Sequence, residues 1–139
     1  MNRAISACAI ALASLALTAC ATPGKQKTLE DTLRQYEAVI RWSQWDGAVN
    51  FMAPEYLAEH PISDLDMRRL RLFQVTQYTL RSSTPTADGN ELVQVVEIRL
   101  FNKTQAIERA ILNRQVWRYD EASKHWWLYS DLPDVTQGR

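Results

Sequence analysis

Histidine and cysteine bind metals and act as nucleophiles, and the chain has few of either. It contains two histidines, His60 and His125, and two cysteines, Cys8 and Cys20. The histidines are far apart and show no HxH or HxxH spacing. The G-x-S-x-G motif, the P-loop and the dinucleotide-binding pattern are absent, and four glycines leave little for a phosphate cradle. We therefore expect no metal site, no cofactor and no nucleophilic catalysis.

General acid–base chemistry in an apolar pocket is what the sequence leaves open, because burial shifts the pKa of Asp, Tyr or His. Candidate residues for such a pocket are Tyr36, Gln74, Tyr78, Glu97, Arg99 and Arg114. Tyr36 also fits the apolar stripe of a helix, and Glu97 and Arg99 fit a solvent-facing ion pair. We therefore expect a protein that is not an enzyme.

Tryptophan is the unusual residue type, with five in the chain. Trp126 and Trp127 are adjacent in a predicted strand, so their rings must lie on opposite sides of the sheet. Aromatic side chains pack in cores, and they also anchor interfaces and stack on sugar rings. Both interpretations stay open. The candidate pocket or interface residues are Tyr36, Trp42, Gln74, Tyr78, Trp117, Trp126 and Trp127.

The N-terminus differs in composition from the rest of the chain. Arg3 supplies one positive charge, and residues 4–19 contain no charged residue. At about 1.5 Å per residue this run reaches about 24 Å, short of the ~30 Å hydrocarbon core of a bilayer. A basic start, a short apolar run and small residues at its end are typical of a secretory signal peptide.

That run ends in Leu17-Thr18-Ala19-Cys20. Residues 1–20 resemble the signal peptide and lipobox of bacterial lipoproteins, which implies cleavage before Cys20 and acylation of its sulfur and its new amine. Two or more acyl chains would hold the protein at a membrane. Ala21 stands where inner-membrane lipoproteins commonly carry Asp, so we expect the outer membrane, with the domain facing the periplasm. The alternative is an ordinary signal peptide with a coincidental cysteine.

The domain organisation follows from this division. Residues 1–19 are the expected signal peptide, residues 20–28 the lipidated cysteine with a flexible tether, and residues 29–139 the folded domain. Thr28 is the predicted N-cap of a helix whose apolar residues share one face. That face comprises Leu29, Leu33, Tyr36 and Ile40.

Shorter helices follow before the strands begin. Asp46 is the predicted cap of a second helix that ends near Pro54, and a further turn precedes Pro61. Ser63 begins a last helix that reaches about Arg69. A cluster of arginines at its end, Arg68-Arg69-x-Arg71, fits either a solvated helix end or contact with anionic lipid headgroups.

Beyond the helices, alternating apolar residues predict four strands. They cover residues 72–80, 92–101, 107–119 and 126–129. Short connections, including the turn at Asp88-Gly89, predict an antiparallel meander. The fold class is therefore α+β, with N-terminal helices packed on one face of a curved four-stranded antiparallel sheet. The other face also carries apolar residues and is a candidate dimer or partner surface.

The helix junction Arg41-Trp42-Ser43-Gln44-Trp45-Asp46, the stretch Met52-Ala53-Pro54-Glu55 and the long strands resemble the NTF2-like superfamily. This superfamily, also called SnoaL-like or cystatin-like cone, would cover residues 29–131. The resemblance implies a bent sheet and helices around a conical pocket, with the sheet often pairing two subunits. Members include isomerases, dehydratases and cyclases, and also non-catalytic binding and assembly domains.

Charge excludes a further class, because Lys and Arg total 16, Asp and Glu total 16, and the net charge is zero. A general nucleic-acid binder needs a basic excess. We expect a membrane-anchored envelope lipoprotein that acts as a non-catalytic binding or assembly module. Its expected partners are the lipid membrane through acylated Cys20, an envelope protein, and a second copy through the sheet. The alternative is small-molecule binding or acid–base catalysis in the cone pocket.

Overall fold

Helices followed by strands make up residues 23–137, the part of the chain that the structure, a computed structural model, describes. The helices are α1 (Pro23–Arg41), α2 (Trp45–Val49), α3 (Pro54–Glu59) and α4 (Asp64–Leu70). The strands are β1 (Phe73–Pro85), β2 (Glu91–Asn102), β3 (Ile107–Asp120) and β4 (His125–Leu128). The predicted α+β class is confirmed. The predicted signal peptide and the lipidated Cys20 lie outside the described residues.

The four strands form one antiparallel sheet in the order β1-β2-β3-β4, so each strand pairs with its sequence neighbour. Along β2, buried side chains alternate with more exposed ones over almost the whole strand. Leu92, Val96, Ile98 and Leu100 are buried together, as the alternation predicts. We call their side of the sheet the inner face, because the helices pack there, and the opposite side the outer face.

Strand β1 is longer than predicted and irregular. It continues past Leu80 to Pro85, because the polar residues after Leu80 still pair with β2. Its register shifts twice, between Val75 and Gln77 and between Leu80 and Ser82. Each extra residue bends the strand and increases its twist. These irregularities support the expectation of a sheet that is not flat.

The first helix begins at Pro23 rather than at Thr28, so the prediction of a flexible tether through residue 28 is wrong from Pro23 onward. Proline suits the first turn of a helix, where its missing N–H needs no partner. The Thr28 hydroxyl donates to the Gly24 carbonyl oxygen at 2.6 Å, as a residue inside a helix does, and does not cap the helix. Trp126 Nε1 also donates to the Lys25 carbonyl at 3.2 Å. This long-range contact stabilises a first turn whose local sequence resembles coil.

The short helices match the prediction in number but not at every cap. Gln44, not Asp46, precedes α2, and the carboxylate of Asp46 instead binds the Arg71 guanidinium at 2.6 Å. Pro54 begins α3 rather than ending α2. Ser63 caps α4 as predicted, since its hydroxyl accepts the backbone N–H of Asp66 at 3.1 Å.

Three aromatic rings hold the helices to the inner face. Tyr36 of α1 meets Trp117 of β3 edge to face, with ring centroids 5.1 Å apart, and meets Phe51 in the same way at 5.3 Å. Phe51 and Trp117 are themselves perpendicular at 6.4 Å. Such pairs add stability beyond the apolar area that they bury. The core therefore centres on Trp117, with Trp45 and Trp126 also buried around it. Between Pro23 and Gln137, the chain has no helix whose length and hydropathy suit a membrane span.

We predict that Trp117→Ala lowers the free energy of unfolding by about 3–5 kcal/mol, because the ring is fully buried and its loss leaves a cavity. Trp42→Ala is the matched control. Its ring is 78% exposed, so we expect a change within about 0.5 kcal/mol. Urea unfolding followed by far-UV circular dichroism measures both. Equal losses in the two variants would contradict the assigned core.

Candidate functional site

A connected group of polar side chains crosses the inner face of the sheet. Gln115 is its centre: its Oε1 accepts from Gln94 Nε2 at 2.8 Å and from Trp117 Nε1 at 3.3 Å. Its Nε2 donates to Asn113 Oδ1 at 2.9 Å and to Tyr78 Oη at 3.2 Å. Gln115 is completely buried, and Gln94 and Asn113 nearly so. We call these five side chains the inner polar network.

The inner polar network satisfies its own members, as buried polar groups must. Burial raises the pKa of Tyr78 to about 12, so its phenol stays protonated near neutral pH and is a poor proton donor. Burial raises the pKa of nearby Tyr36 further, with the Tyr78 hydroxyl adding to the effect. A general base works best when its pKa lies near the ambient pH. Neither phenol meets that condition near neutral pH.

Tyr36 differs from the members of the inner polar network, because its hydroxyl is buried without a hydrogen bond in the described part of the chain. Its side chain is completely buried, and its hydroxyl has no hydrogen-bond partner among residues 23–137. The ring still packs edge to face on Phe51 and Trp117. The contribution of Tyr36 to the fold is therefore the ring, in agreement with its place in the apolar stripe of α1.

The structure brings together only some of the predicted pocket residues. Tyr36, Tyr78 and Trp117 meet on the inner face, and Trp126 is buried beside the first turn of α1. Gln74 does not lie among them. It is exposed on the outer face opposite Phe101, because β1 turns alternate residues to opposite sides, and there it remains a candidate interface residue.

Two other candidates lie away from that pocket. Trp42 is exposed just beyond the end of α1, in a shallow depression with Arg34, Glu37 and Arg41. Trp127 lies on the outer face, opposite Arg118 of β3 and on the other side of the sheet from Trp126, as predicted.

The expected ion pair between Glu97 and Arg99 was also wrong. Glu97 binds Arg81 of the neighbouring strand at 2.7 Å. Arg81 is the extra residue at a register shift of β1, so the irregular strand brings its guanidinium next to that carboxylate. The spacing of Glu97 and Arg99 within one strand could not predict this pair, because the partner lies on a neighbouring strand.

The outer face remains open to solvent. Val93, Val95 and Phe101 of β2 are part-exposed, and Leu112 of β3 is 55% exposed. Charged residues lie among them, since Glu97 is opposite Leu112 and Arg114 is opposite Val95. The outer face is therefore a mixed apolar and charged surface.

A groove of about 420 Å³ lies where the outer face meets α3. The groove combines aromatic rings with charged groups, among them Glu55, Arg118, Asp120, Trp127 and Tyr129. The Arg118 guanidinium lies 4.7 Å from the centroid of the Tyr129 ring. The Tyr129 hydroxyl donates to Glu55, which raises the pKa of Tyr129 to about 12 and lowers the pKa of Glu55. Several polar groups that line the groove are therefore already paired, Tyr129 with Glu55 and Arg118 with Glu91.

Both histidines pack against aromatic rings. His60 stacks on Tyr56 with ring centroids 4.3 Å apart, and His125 lies 4.3 Å from Trp127. Within the described residues, no three His, Cys, Asp or Glu side chains are grouped so as to hold a metal ion.

Comparison with known proteins finds similarity to solved structures and none to family models or curated sequences. No protein-family model matches the chain, and no curated protein sequence matches it either. The chain is similar to the solution structure of a SEC-C motif-containing protein from Rhodopseudomonas palustris, with 15% identity and a TM-score of 0.56. That match covers 77% of this chain and 80% of the other, and at this identity it bears on the fold only.

A weaker likeness is to the intermembrane-space region of the chloroplast protein ARC6. It covers 75% of this chain and 92% of that region, with 10% identity and a TM-score of 0.36.

We predict opposite effects from two matched substitutions. Tyr78→Phe lowers the free energy of unfolding by about 1 kcal/mol, because it removes an acceptor from the buried Gln115 amide. Tyr36→Phe leaves the free energy of unfolding unchanged or raises it by up to about 1 kcal/mol, because it removes a buried hydroxyl that has no partner. Urea unfolding at neutral pH measures both. A larger loss for Tyr36→Phe than for Tyr78→Phe would contradict the assignment.

Proposed function

We propose that this protein is a lipid-anchored envelope protein whose folded domain is a non-catalytic binding or assembly module. The anchor is Cys20, and the expected location is the outer membrane, facing the periplasm. The observation that carries the binding role is the contrast between the two faces of the sheet. The inner face is filled by packed aromatic rings and hydrogen-bonded amides, and the outer face is open.

The filled inner face favours this role over the alternative of a small-molecule or acid–base site there. Trp117 and Gln115 are completely buried in contact with their neighbours. The amides of the inner polar network bind one another, so they are not free to orient a ligand. Ligand sites instead combine open volume with a few unpaired polar groups. Surfaces are therefore where we place the function.

We further propose that the α+β fold is the NTF2-like cone. The support comes from the order of the elements. An N-terminal helix lies on the inner face, short helices follow it, and a four-stranded meander has an irregular first strand. Two register shifts in β1 also support it, because such shifts bend and twist a strand and a cone requires a bent sheet.

The outer face is the surface that we propose for partners. Its apolar residues Leu112, Val95 and Phe101 are at least partly exposed, and charged residues such as Glu97 and Arg114 lie directly beside them. A partner could therefore make both apolar contacts and ion pairs on this face. A second copy of the chain is the first partner that we consider, because one face on two copies can pair by two-fold symmetry. An envelope protein is the other.

The anchor has a direct test. Cys20→Ser removes the acylated sulfur, so we expect the precursor to stay unlipidated and to leave the membrane fraction. The wild-type protein is expected in that fraction, with a mass increase from acyl chains at Cys20 in mass spectrometry. Cys8→Ser is the matched control and should not change fractionation. A Cys20→Ser protein that still fractionates with membranes would contradict the lipoprotein assignment.

The binding surface has a separate test. We expect the soluble protein lacking residues 1–22 to sediment as a dimer, and Leu112→Asp to shift it to a monomer by placing a charge on the outer face beside Glu97. Leu65→Asp is the control, since Leu65 is similarly exposed on α4, 48% against 55% for Leu112. Sedimentation velocity measures the masses. A native protein that sediments as a monomer would contradict the dimer, and cross-linking from position 112 in cells would then test for an envelope partner.

A further inference from the structure

We propose that the end of the domain where α1 begins lies against the lipid headgroups, and that the opposite end points away from the membrane. This inference rests on the proposed lipid anchor at Cys20. The anchor end, as we call it, comprises the first turn of α1 and the two turns packed beside it. Those turns are residues 86–90, between β1 and β2, and residues 121–124, between β3 and β4.

The chain between the lipid and the fold is short. α1 begins at Pro23, and only Ala21 and Thr22 separate Pro23 from Cys20. Three peptide steps span at most about 11 Å even when fully extended. That reach is comparable to the headgroup layer, since a bilayer about 40–45 Å thick has a ~30 Å hydrocarbon core. The start of α1 must therefore stay at the membrane surface.

Lys25 holds the start of α1 against the sheet. Its ammonium group hydrogen-bonds to Asn90 in the turn before β2 and lies 4.0 Å from the Glu121 carboxylate in the turn before β4. It also lies 4.6 Å from the centroid of the Tyr119 ring. Trp126 Nε1 donates to the Lys25 carbonyl from the other side. The first turn of α1 cannot move away from the sheet without breaking these contacts, so the anchor orients the whole domain.

Charge does not by itself select this end. Lys25, Lys27 and Lys124 lie there together with Asp88, Glu91 and Glu121, so basic and acidic groups balance. An anionic membrane would therefore exert little net attraction on it. The short connection to Cys20 imposes the orientation, and a longer connection should abolish it.

The opposite end lies one helix length away. α1 has 19 residues, which at about 1.5 Å each reach about 28 Å. Just beyond α1, the Ser43 hydroxyl accepts the backbone N–H of Val75 at 2.8 Å, near the start of β1. Arg71 lies at this end, bound to Asp46. In the proposed orientation the arginine cluster of α4 lies away from the headgroups, and the solvated interpretation of that cluster applies.

The experiment uses the full-length, lipidated protein in vesicles of phosphatidylethanolamine and phosphatidylglycerol that contain a lipid with a nitroxide on its headgroup. Ala87→Cys places a fluorophore in the exposed turn at the anchor end, and Gln105→Cys places it in the exposed turn between β2 and β3 at the opposite end. Cleavage removes Cys8 and acylation blocks Cys20, so the new thiol alone reacts. We expect several-fold stronger quenching at position 87 than at position 105.

Three results separate the possible failures. Equal quenching at the two positions, or stronger quenching at position 105, on vesicle-bound protein would overturn the orientation and leave the anchor intact. Protein that does not bind vesicles at all would overturn the anchor and the orientation with it. Inserting a flexible Gly-Ser linker between Thr22 and Pro23 should remove the difference between positions. A difference that survives the linker would overturn tether length as its cause. Unchanged melting temperatures of the two cysteine variants confirm that they fold.

Discussion

A buried amide that must be satisfied is the constraint on which the rest of this structure depends. Gln115 lies in the centre of the sheet with no exposure to water. An unpaired amide there would lower the free energy of unfolding, because its polar groups would lose their bonds to water without replacement. Gln94, Asn113 and Tyr78 supply its partners from three strands, so they fix the register of β1, β2 and β3 together. Once these groups are paired, α1 can cover them. Trp117, which also donates to Gln115, provides the surface on which α1 packs.

The strands were largely predictable, and the start of the first helix was not. Alternation between buried and exposed residues fixed the bounds of β2 and β3 to within a residue or so, because strand pairing rewards that pattern. Pro23 and Gly24 instead resemble coil, and no local pattern reveals that Lys25 contacts Trp126, 101 positions later in the chain. Long-range contacts of this kind override local propensity, and the sequence alone does not state them.

The site was predictable only in outline. Placing Tyr36 in an apolar stripe and the rings of Trp126 and Trp127 on opposite sides needed only helical and strand periodicity. The buried amides of the inner polar network were not predicted from the sequence. Gln94 stands between the apolar Leu92 and Val96, which share its face, and a polar residue at such a position indicates buried hydrogen bonding. Which polar groups pair depends on strand register and on the shifts in β1, and neither can be read from composition. The split between a filled inner face and an open outer face emerged only from the structure.

The contact between Lys25 and Trp126 also joins the two ends of the domain. Neighbouring strands of the meander close short loops, so their hairpins bring together residues that are near in sequence. The first turn of α1 instead meets β4 across 101 positions of the chain. A chain truncated before residue 126 would keep the Lys25 contacts to Asn90 and Tyr119 and lose the Trp126 donor, so its first turn would be held less firmly. The N-terminal end of the fold therefore depends for part of its stability on the C-terminal strand.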